Sequence, residues 1–188
     1  MWKTKNFTVI TVPSGALFPS RYNGSVAFTI RDFQPADFDT LWRIDQACFP
    51  AGISYSRAEL QTYMRRRGSF TLLAVKDAAS KHSSGIDSLD SSVGGFIVAE
   101  ADRGSGHIIT IDVVKKTRRS GVGSLLLQAA EDRLRAARAR SVELETAVDN
   151  VTALSFYKRH GYTVIRTIPR YYSNGVDALV LNKDLLPK

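Results

Sequence analysis

The chain has too little cysteine for an internal disulfide: Cys48 stands alone among 188 residues, so no oxidised framework holds this fold. It lies between Ala47 and Phe49 in a stretch of helical apolar spacing with no thiol motif around it, which marks a small core residue and not a catalytic thiol. Histidine is scarce as well. His82, His107 and His160 show none of the short spacings that zinc sites use, so no metal is expected. His107 and His160 also lack carboxylate spacing and read as surface residues. Long hydrophobic runs are missing: the patch Phe7 to Val12, behind Lys3 and Lys5, is cut by Pro13, Ser14 and Gly15 before a signal-peptide core or membrane span forms. No membrane partner is therefore expected, and a cytoplasmic location is.

Acidic residues are outnumbered. The 26 Lys and Arg against 18 Asp and Glu leave a formal charge of +8, which suits nucleic acid, an acidic surface or a phosphate-bearing cofactor alike. The distribution says more: Arg65, Arg66 and Arg67 form one cluster, and Lys115, Lys116, Arg118 and Arg119 another. With 44% hydrophobic content the chain can bury one ordinary core, and its length fits one domain better than two.

Residues 1–24 show no sustained period and are read as an extension; the domain, 25–188, begins near Ser25. Val26, Phe28 and Ile30 alternate as in a half-buried strand. Pro35 and Ala36 open a helix striped by Phe38, Leu41, Trp42 and Ile44, stopped by Pro50 and Gly52, and Ser56 with Glu59 forms a capping box for a second helix. Phe70 to Val75 and Gly94 to Ala99 read as strands, while 77–92 between them is Ser-, Ala-, Asp- and Gly-rich and is expected to be a flexible insert. From Ile108, Ile109, Ile111 and Val113 alternate with Thr110 and Asp112; a basic, glycine-bearing turn follows, then an amphipathic helix with Val122, Leu125, Leu126, Ala129, Ala130 and Leu134 on one face. Ser141 to Thr146 is a strand, Asn150 to His160 a short helix closed by Gly161, and Tyr162 to Ile168 and Val176 to Asn182 two more strands. Together these spell a mixed α/β (α+β) domain with helices on both faces of one sheet.

The turn Arg118-Arg119-Ser120-Gly121-Val122-Gly123-Ser124 joins a strand to a helix start, where backbone N–H groups lack intrahelical partners and bind anions. Gly121 and Gly123 have no Cβ, so a diphosphate can approach the main chain. The absence of Lys-Ser or Lys-Thr after the second glycine excludes a P-loop, and the absence of a third glycine excludes a dinucleotide fold.

In this setting Arg118, Gly121 and Gly123 match the acetyl-CoA signature of the GNAT acetyltransferases, which the chain resembles in element order from Ala27 to Asp184. The resemblance is closest to the bacterial ribosomal-protein N-terminal acetyltransferase branch over Ile108 to Tyr172, through Leu144-Glu145, Asp149-Asn150, Phe156-Tyr157, Gly161-Tyr162 and Arg170-Tyr171-Tyr172. It implies a mostly antiparallel central sheet. It also implies acetyl-CoA as cofactor, with Ile111, Asp112 and Val113 beside the pantetheine arm, Arg118, Arg119, Ser120, Gly121, Val122, Gly123 and Ser124 at the pyrophosphate, and Asn150 at the cofactor. The Val113 amide would polarise the thioester carbonyl, Glu145 would be the general base and Tyr157 the general acid.

The chemistry needs these roles: a proton must leave the ammonium, the oxyanion needs a donor, and the thiolate needs a proton. Glu145 shares a strand face with Glu143, opposite Val142, Leu144 and Thr146. Tyr157 falls two helical turns after Asn150, and a phenol of ordinary pKa near 10 would match a thiolate of similar basicity. For the acceptor, the resemblance implies a protein or peptide N-terminus gripped between Phe49 to Tyr55 and Arg170 to Tyr172, with Tyr55, Arg170, Tyr171 and Tyr172 as candidate contacts. A polyamine, amino sugar or drug stays open as an alternative acceptor. So does a non-catalytic module that binds nucleic acid or ribosome through its basic clusters and retains CoA, although no nucleic-acid motif is recognised, which disfavours nucleic acid as a partner. The oligomeric state is not readable from the residues.

Overall fold

The computed structural model describes residues 28–49, 53–77 and 92–186. The expected extension at 1–24, the first residues of the first strand, Pro50 to Gly52 and 78–91 of the insert lie outside these residues.

In chain order the elements are β1 (Phe28–Asp32), α1 (Phe38–Cys48) behind a single 3-10 turn, α2 (Arg57–Met64), β2 (Ser69–Lys76), β3 (Val93–Asp102), β4 (Ser105–Val113), α3 (Val122–Ala136), β5 (Ser141–Ala147), α4 (Val151–Arg159), β6 (Thr163–Ile168) and β7 (Ala178–Asp184). Local chemistry sets most of their ends. Ser56 accepts from the Glu59 N–H while Glu59 accepts from the Ser56 N–H, closing the expected capping box on α2. Gly161, at φ +87°, stops α4. The last strand starts later than the alternation suggested, at Ala178, and runs on to Asp184. Asp177 is tied down there, its carboxylate accepting from the Arg170 N–H at 2.7 Å and its carbonyl from the Val148 N–H at 3.1 Å.

The strands form one seven-stranded sheet in the order β1-β2-β3-β4-β5-β7-β6. All neighbours are antiparallel except β4 and β5, as the mostly antiparallel expectation held. Two apolar clusters cover its faces. Leu126, Leu127, Ala130 and Leu134 of α3 and Tyr157 of α4 pack on Leu72, Ile97, Ile108, Val142 and Leu144; Leu41 and Ile44 of α1 and Leu60 of α2 pack on Leu73, Phe96 and Val98. Successive strand residues serve opposite clusters because the pleat alternates them. No helix among the described residues is long and apolar enough to cross a membrane.

Candidate acetyl-transfer site

The site begins with a break in the sheet. Thr110 pairs with Val98 and Ile108 with Ala99, so Ile109 is an extra residue, a bulge in β4. At the same point β4 leaves β5: their parallel pairing runs only from Ser105 with Ser141 to Ile108 with Leu144, although both strands continue. The Val114 N–H donates to the Gly94 carbonyl at 3.0 Å. That makes Gly95 and Val113 a non-hydrogen-bonded pair and turns the Val113 N–H and C=O away from β3, into the gap. The gap therefore offers the Val113 N–H as an unpaired donor, and its edges lie between the two helical faces.

At the mouth of the gap, the chain from Arg119 to Ser124 bends into α3. Among the described residues none of these six backbone N–H groups makes a hydrogen bond, which is the donor set expected of a helix start. Gly121 is left-handed at φ +87°, and a Cβ built on it would meet nothing within 4 Å, so the bend faces open space. Arg119 is also left-handed, at φ 64°. Side chains here have other work: Val122 is buried in the core, the Ser124 hydroxyl meets His160 Nε2 at 3.0 Å, and Arg118 folds back so that its Nε donates to the Val113 carbonyl at 3.0 Å. Only main chain is left to hold a ligand at 122 and 124.

On the α1–α2 face of the gap stands Glu145, and there the sequence reading of His107 is corrected. His107 is no bystander at the surface. Its Nε2 lies 2.7 Å from Glu145 Oε2, and its Nδ1 3.8 Å from Glu100 Oε1. The hydrogen bond to Glu145, outweighing desolvation and joined by the charges of Glu145, Glu100 and Glu143, raises the imidazole above its ordinary value. Arg66 reaches Glu100 at 3.8 Å and lies over the Tyr63 ring at 4.1 Å. Glu143, the other carboxylate on this face, accepts from Asn182 at 3.4 Å. His160 is corrected too: it is half-buried, with Nδ1 2.8 Å from the Phe156 carbonyl, and it binds α4 to the first turn of α3.

Aromatic residues surround the glutamate. Tyr55 is locked by its backbone, whose N–H donates to Asp45 at 2.9 Å and whose carbonyl accepts from Trp42 at 3.2 Å and Gln46 at 2.8 Å. Its ring meets Tyr63 at 5.1 Å, and Tyr171 meets Tyr172 edge-on at 5.0 Å. Burial raises the Tyr172 hydroxyl to about 12, with Tyr171 and Glu145 adding to it; Tyr171 is raised by burial and then by Glu145 and Tyr63. Tyr55, Tyr171 and Tyr172 thus share one environment with Glu145, and Tyr63, which sequence reasoning missed, belongs to it. Arg170 is exposed, left-handed at φ 51° and held through its N–H by Asp177.

Tyr157 lies on the other face of the gap, 6% exposed and edge-on to both Phe156 and Tyr162. Its acidity departs from the expectation of an ordinary phenol: burial, then the neighbouring Asp112 and Tyr172, push the hydroxyl well up, so it stays protonated. Asn150 caps α4, its side-chain oxygen accepting from the Ala153 N–H at 3.1 Å. Asp112 requires a further correction. It sits opposite Phe96 on the α1 side, 1% exposed, so its side chain does not line the gap as Ile111 and Val113 do from the α3 face. Burial first and then Asp45 hold its carboxyl far above the ordinary range, and burial lifts Asp45 to about 6. Each leaves its Oδ1 without a partner. Cys48, half-buried beside them, donates to the Val113 carbonyl at 3.5 Å, in keeping with a packing role.

A bulged β4 diverging from β5 above a row of free amides, with a carboxylate on one face and a phenol on the other, defines an acyl-transfer fold. The chain belongs to the acetyltransferase (GNAT) family, whose model matches residues 38–162. It is similar to an N-alpha-acetyltransferase of Saccharolobus solfataricus, 23% identical over 171 residues that cover 84% of this chain and 93% of that protein. Among solved structures it resembles Ard1 from Thermoplasma volcanium, with a TM-score of 0.73 and 30% identity over 86% of this chain and all of that one. It also shares its fold with the ribosomal-protein-S18-alanine N-acetyltransferase of Escherichia coli, with a TM-score of 0.71 and 16% identity over 86% of this chain and 96% of that one. Across three curated relatives matched at 35 to 41% identity, the chain spans only 46 to 62% of their length.

Proposed function

We propose that this protein transfers an acetyl group from acetyl-CoA to the α-amino group of a protein or peptide N-terminus. The observation that carries the reading is the row of unpaired amides from Arg119 to Ser124 at the mouth of the β4–β5 gap. Such a row fits a diphosphate, with the α3 dipole and Arg119 adding positive potential. The cofactor supplies an acyl carbonyl activated as a thioester, and the residues of this chain supply the rest. Ile111 and Val113 border the arm, and the Val113 N–H, free of β3, donates to the carbonyl oxygen as charge develops there. Asn150, already the cap of α4, lines the cofactor from the other side.

Glu145 with His107 receives the ammonium proton, Glu145 taking it and the neutral imidazole passing it toward Glu100 and solvent. An N-terminal amine, with an intrinsic pKa of about 8, gives up that proton more readily than lysine at about 10.4. Tyr157, held protonated by burial, donates its O–H toward the departing sulfur from the opposite face. Tyr55, Tyr171 and Tyr172, with Tyr63, border the acceptor, and Arg170 flanks its exit. Tyr171 is 48% exposed, and an open aromatic slot suits a peptide better than a compact amine or sugar.

Thiol release from acetyl-CoA, followed with N-terminal peptides, lysine peptides and polyamines, tests the proposal. Turnover is expected on free N-termini and to fail on the same peptides blocked by formylation. Turnover confined to polyamines would move the acceptor to small molecules, and cofactor binding with no turnover on any amine would leave a non-catalytic module.

A further inference from the structure

Four non-glycine residues of the described chain have positive φ, and all four are arginines: Arg103 at 46°, Arg119 at 64°, Arg138 at 63° and Arg170 at 51°. Glycine, asparagine and aspartate populate that region at less cost. Arg119 and Arg170 border the site already described; Arg103 and Arg138 do not. Arg103 precedes Gly104, at φ 88°, in the two-residue turn from β3 to β4, where Asn-Gly is the favoured pair. Arg138 follows the end of α3, where the Ala139 N–H returns to the Leu134 carbonyl at 2.9 Å and glycine is the usual residue.

The two turns are neighbours. The Arg140 N–H donates to the Gly104 carbonyl at 2.8 Å, and the Ala101 N–H donates to the Gly68 carbonyl at 3.0 Å, which adds the turn Arg65-Arg66-Arg67-Gly68 to the row. Three turns at the end of the sheet away from Gly121 thus bring together Arg65, Arg66, Arg67, Arg103, Arg138 and Arg140, all exposed. The row crosses from β2 to β5, three strand spacings or roughly 14 Å. Its acids are few: Glu100 lies 3.8 Å from Arg66 and Asp102 4.0 Å from Arg103. Arg65, Arg67, Arg138 and Arg140 make no ion pair among the described residues. Nearby, Arg133 and Arg135 are already held by Asp32, Asp132 and Glu131.

We propose that this arginine rim docks the protein on the phosphate backbone of double-helical RNA. The cationic groups are all guanidiniums, whose planar fork pairs with phosphate oxygens in a way an ammonium does not. The three turns carry no aromatic side chain, so they offer no platform for stacking single-stranded bases and no anchor for a lipid interface. Contact of this kind is to backbone, insensitive to sequence and steeply dependent on salt. The choice of RNA over DNA rests on the proposed acceptor, since a protein N-terminus first appears on a ribosome, where RNA is a principal surface. The docking itself does not depend on acetyl transfer.

Arg103→Gly combined with Arg138→Gly separates docking from folding, because glycine relieves the left-handed turns while removing the charges. We expect this variant to melt higher than the wild type, to bind a fluorescein-labelled 20-base-pair RNA duplex at least tenfold more weakly, and to show a salt slope shallower by about two. It should acetylate a short free peptide at the wild-type rate, so failure of the docking and failure of the proposed activity are read separately. Unchanged RNA affinity in the glycine variant would overturn the proposal. So would tenfold tighter binding to a DNA duplex of the same sequence, or displacement of the RNA by polyglutamate at equal charge concentration.

Discussion

His107 titrates between two carboxylates, at 2.7 Å from Glu145 and 3.8 Å from Glu100, and its proton is held more tightly than that of a free imidazole. Because the folded-state value lies above the unfolded one, the stability this group contributes is complete below about pH 6.5 and is lost as pH rises through the folded value. In the proposed mechanism activity runs the other way: the pair would accept a proton only after the imidazole has lost one, so kcat/KM should rise with pH, with a midpoint above about 6.5. Glu145→Gln removes the largest cause of the shift. It should lower turnover by about a hundredfold, leave acetyl-CoA affinity nearly unchanged and move the His107 midpoint, followed by NMR, to lower pH. Asp45 has a different pH habit from an ordinary carboxylate. Burial lifts it to about 6, so the folded state holds its proton where the unfolded chain has released it, and stability falls as pH climbs from about 4 to about 6. Asp45→Asn keeps an acceptor for the Tyr55 N–H, and thermal melts should show it more stable than wild type by ~1 kcal/mol or more at pH 8, with no gain at pH 4.

Among the elements, the start of α3 carries the proposed cofactor site and α2 borders the proposed acceptor slot. Gly121→Glu puts a side chain on a left-handed residue and a negative charge into the open space above the amides. Acetyl-CoA affinity measured by calorimetry should drop at least tenfold, about 1.4 kcal/mol, and normal affinity would displace the pyrophosphate from this bend. Ser56→Ala breaks the capping box of α2 and should cost ~1 kcal/mol in chemical denaturation. Both features were readable because they are local: Ser56 and Glu59 are three residues apart, and the glycine turn stands between a period-two and a period-3.6 pattern. The bulge at Ile109 was not, since it depends on the register of β4 against β3 and no residue at 109 announces it.

For the molecule as a whole, element order, a mostly antiparallel sheet and the strand face of Glu145, opposite Leu144, followed from periodicity and the family resemblance, whereas the burial of Tyr157 in the core beside Tyr162 did not. The pairs that join distant segments did not. His107 meets Glu145 across 38 residues, through a parallel register that exists only once the sheet is assembled. Asp45 and Asp112 come together from a helix and a strand; alternation set Asp112 on the face opposite Ile111 and Val113, but only the assembled fold shows that this face is buried beside α1. The arginine rim likewise collects residues from three separate turns. The central claim, that the sheet opens between β4 and β5 so that free amides can hold a diphosphate, is tested most directly by amide hydrogen exchange with and without acetyl-CoA. The account predicts that the N–H groups of Arg119 to Ser124 exchange fast in the free protein and become protected when the cofactor binds. Protection elsewhere with these amides unchanged would contradict it.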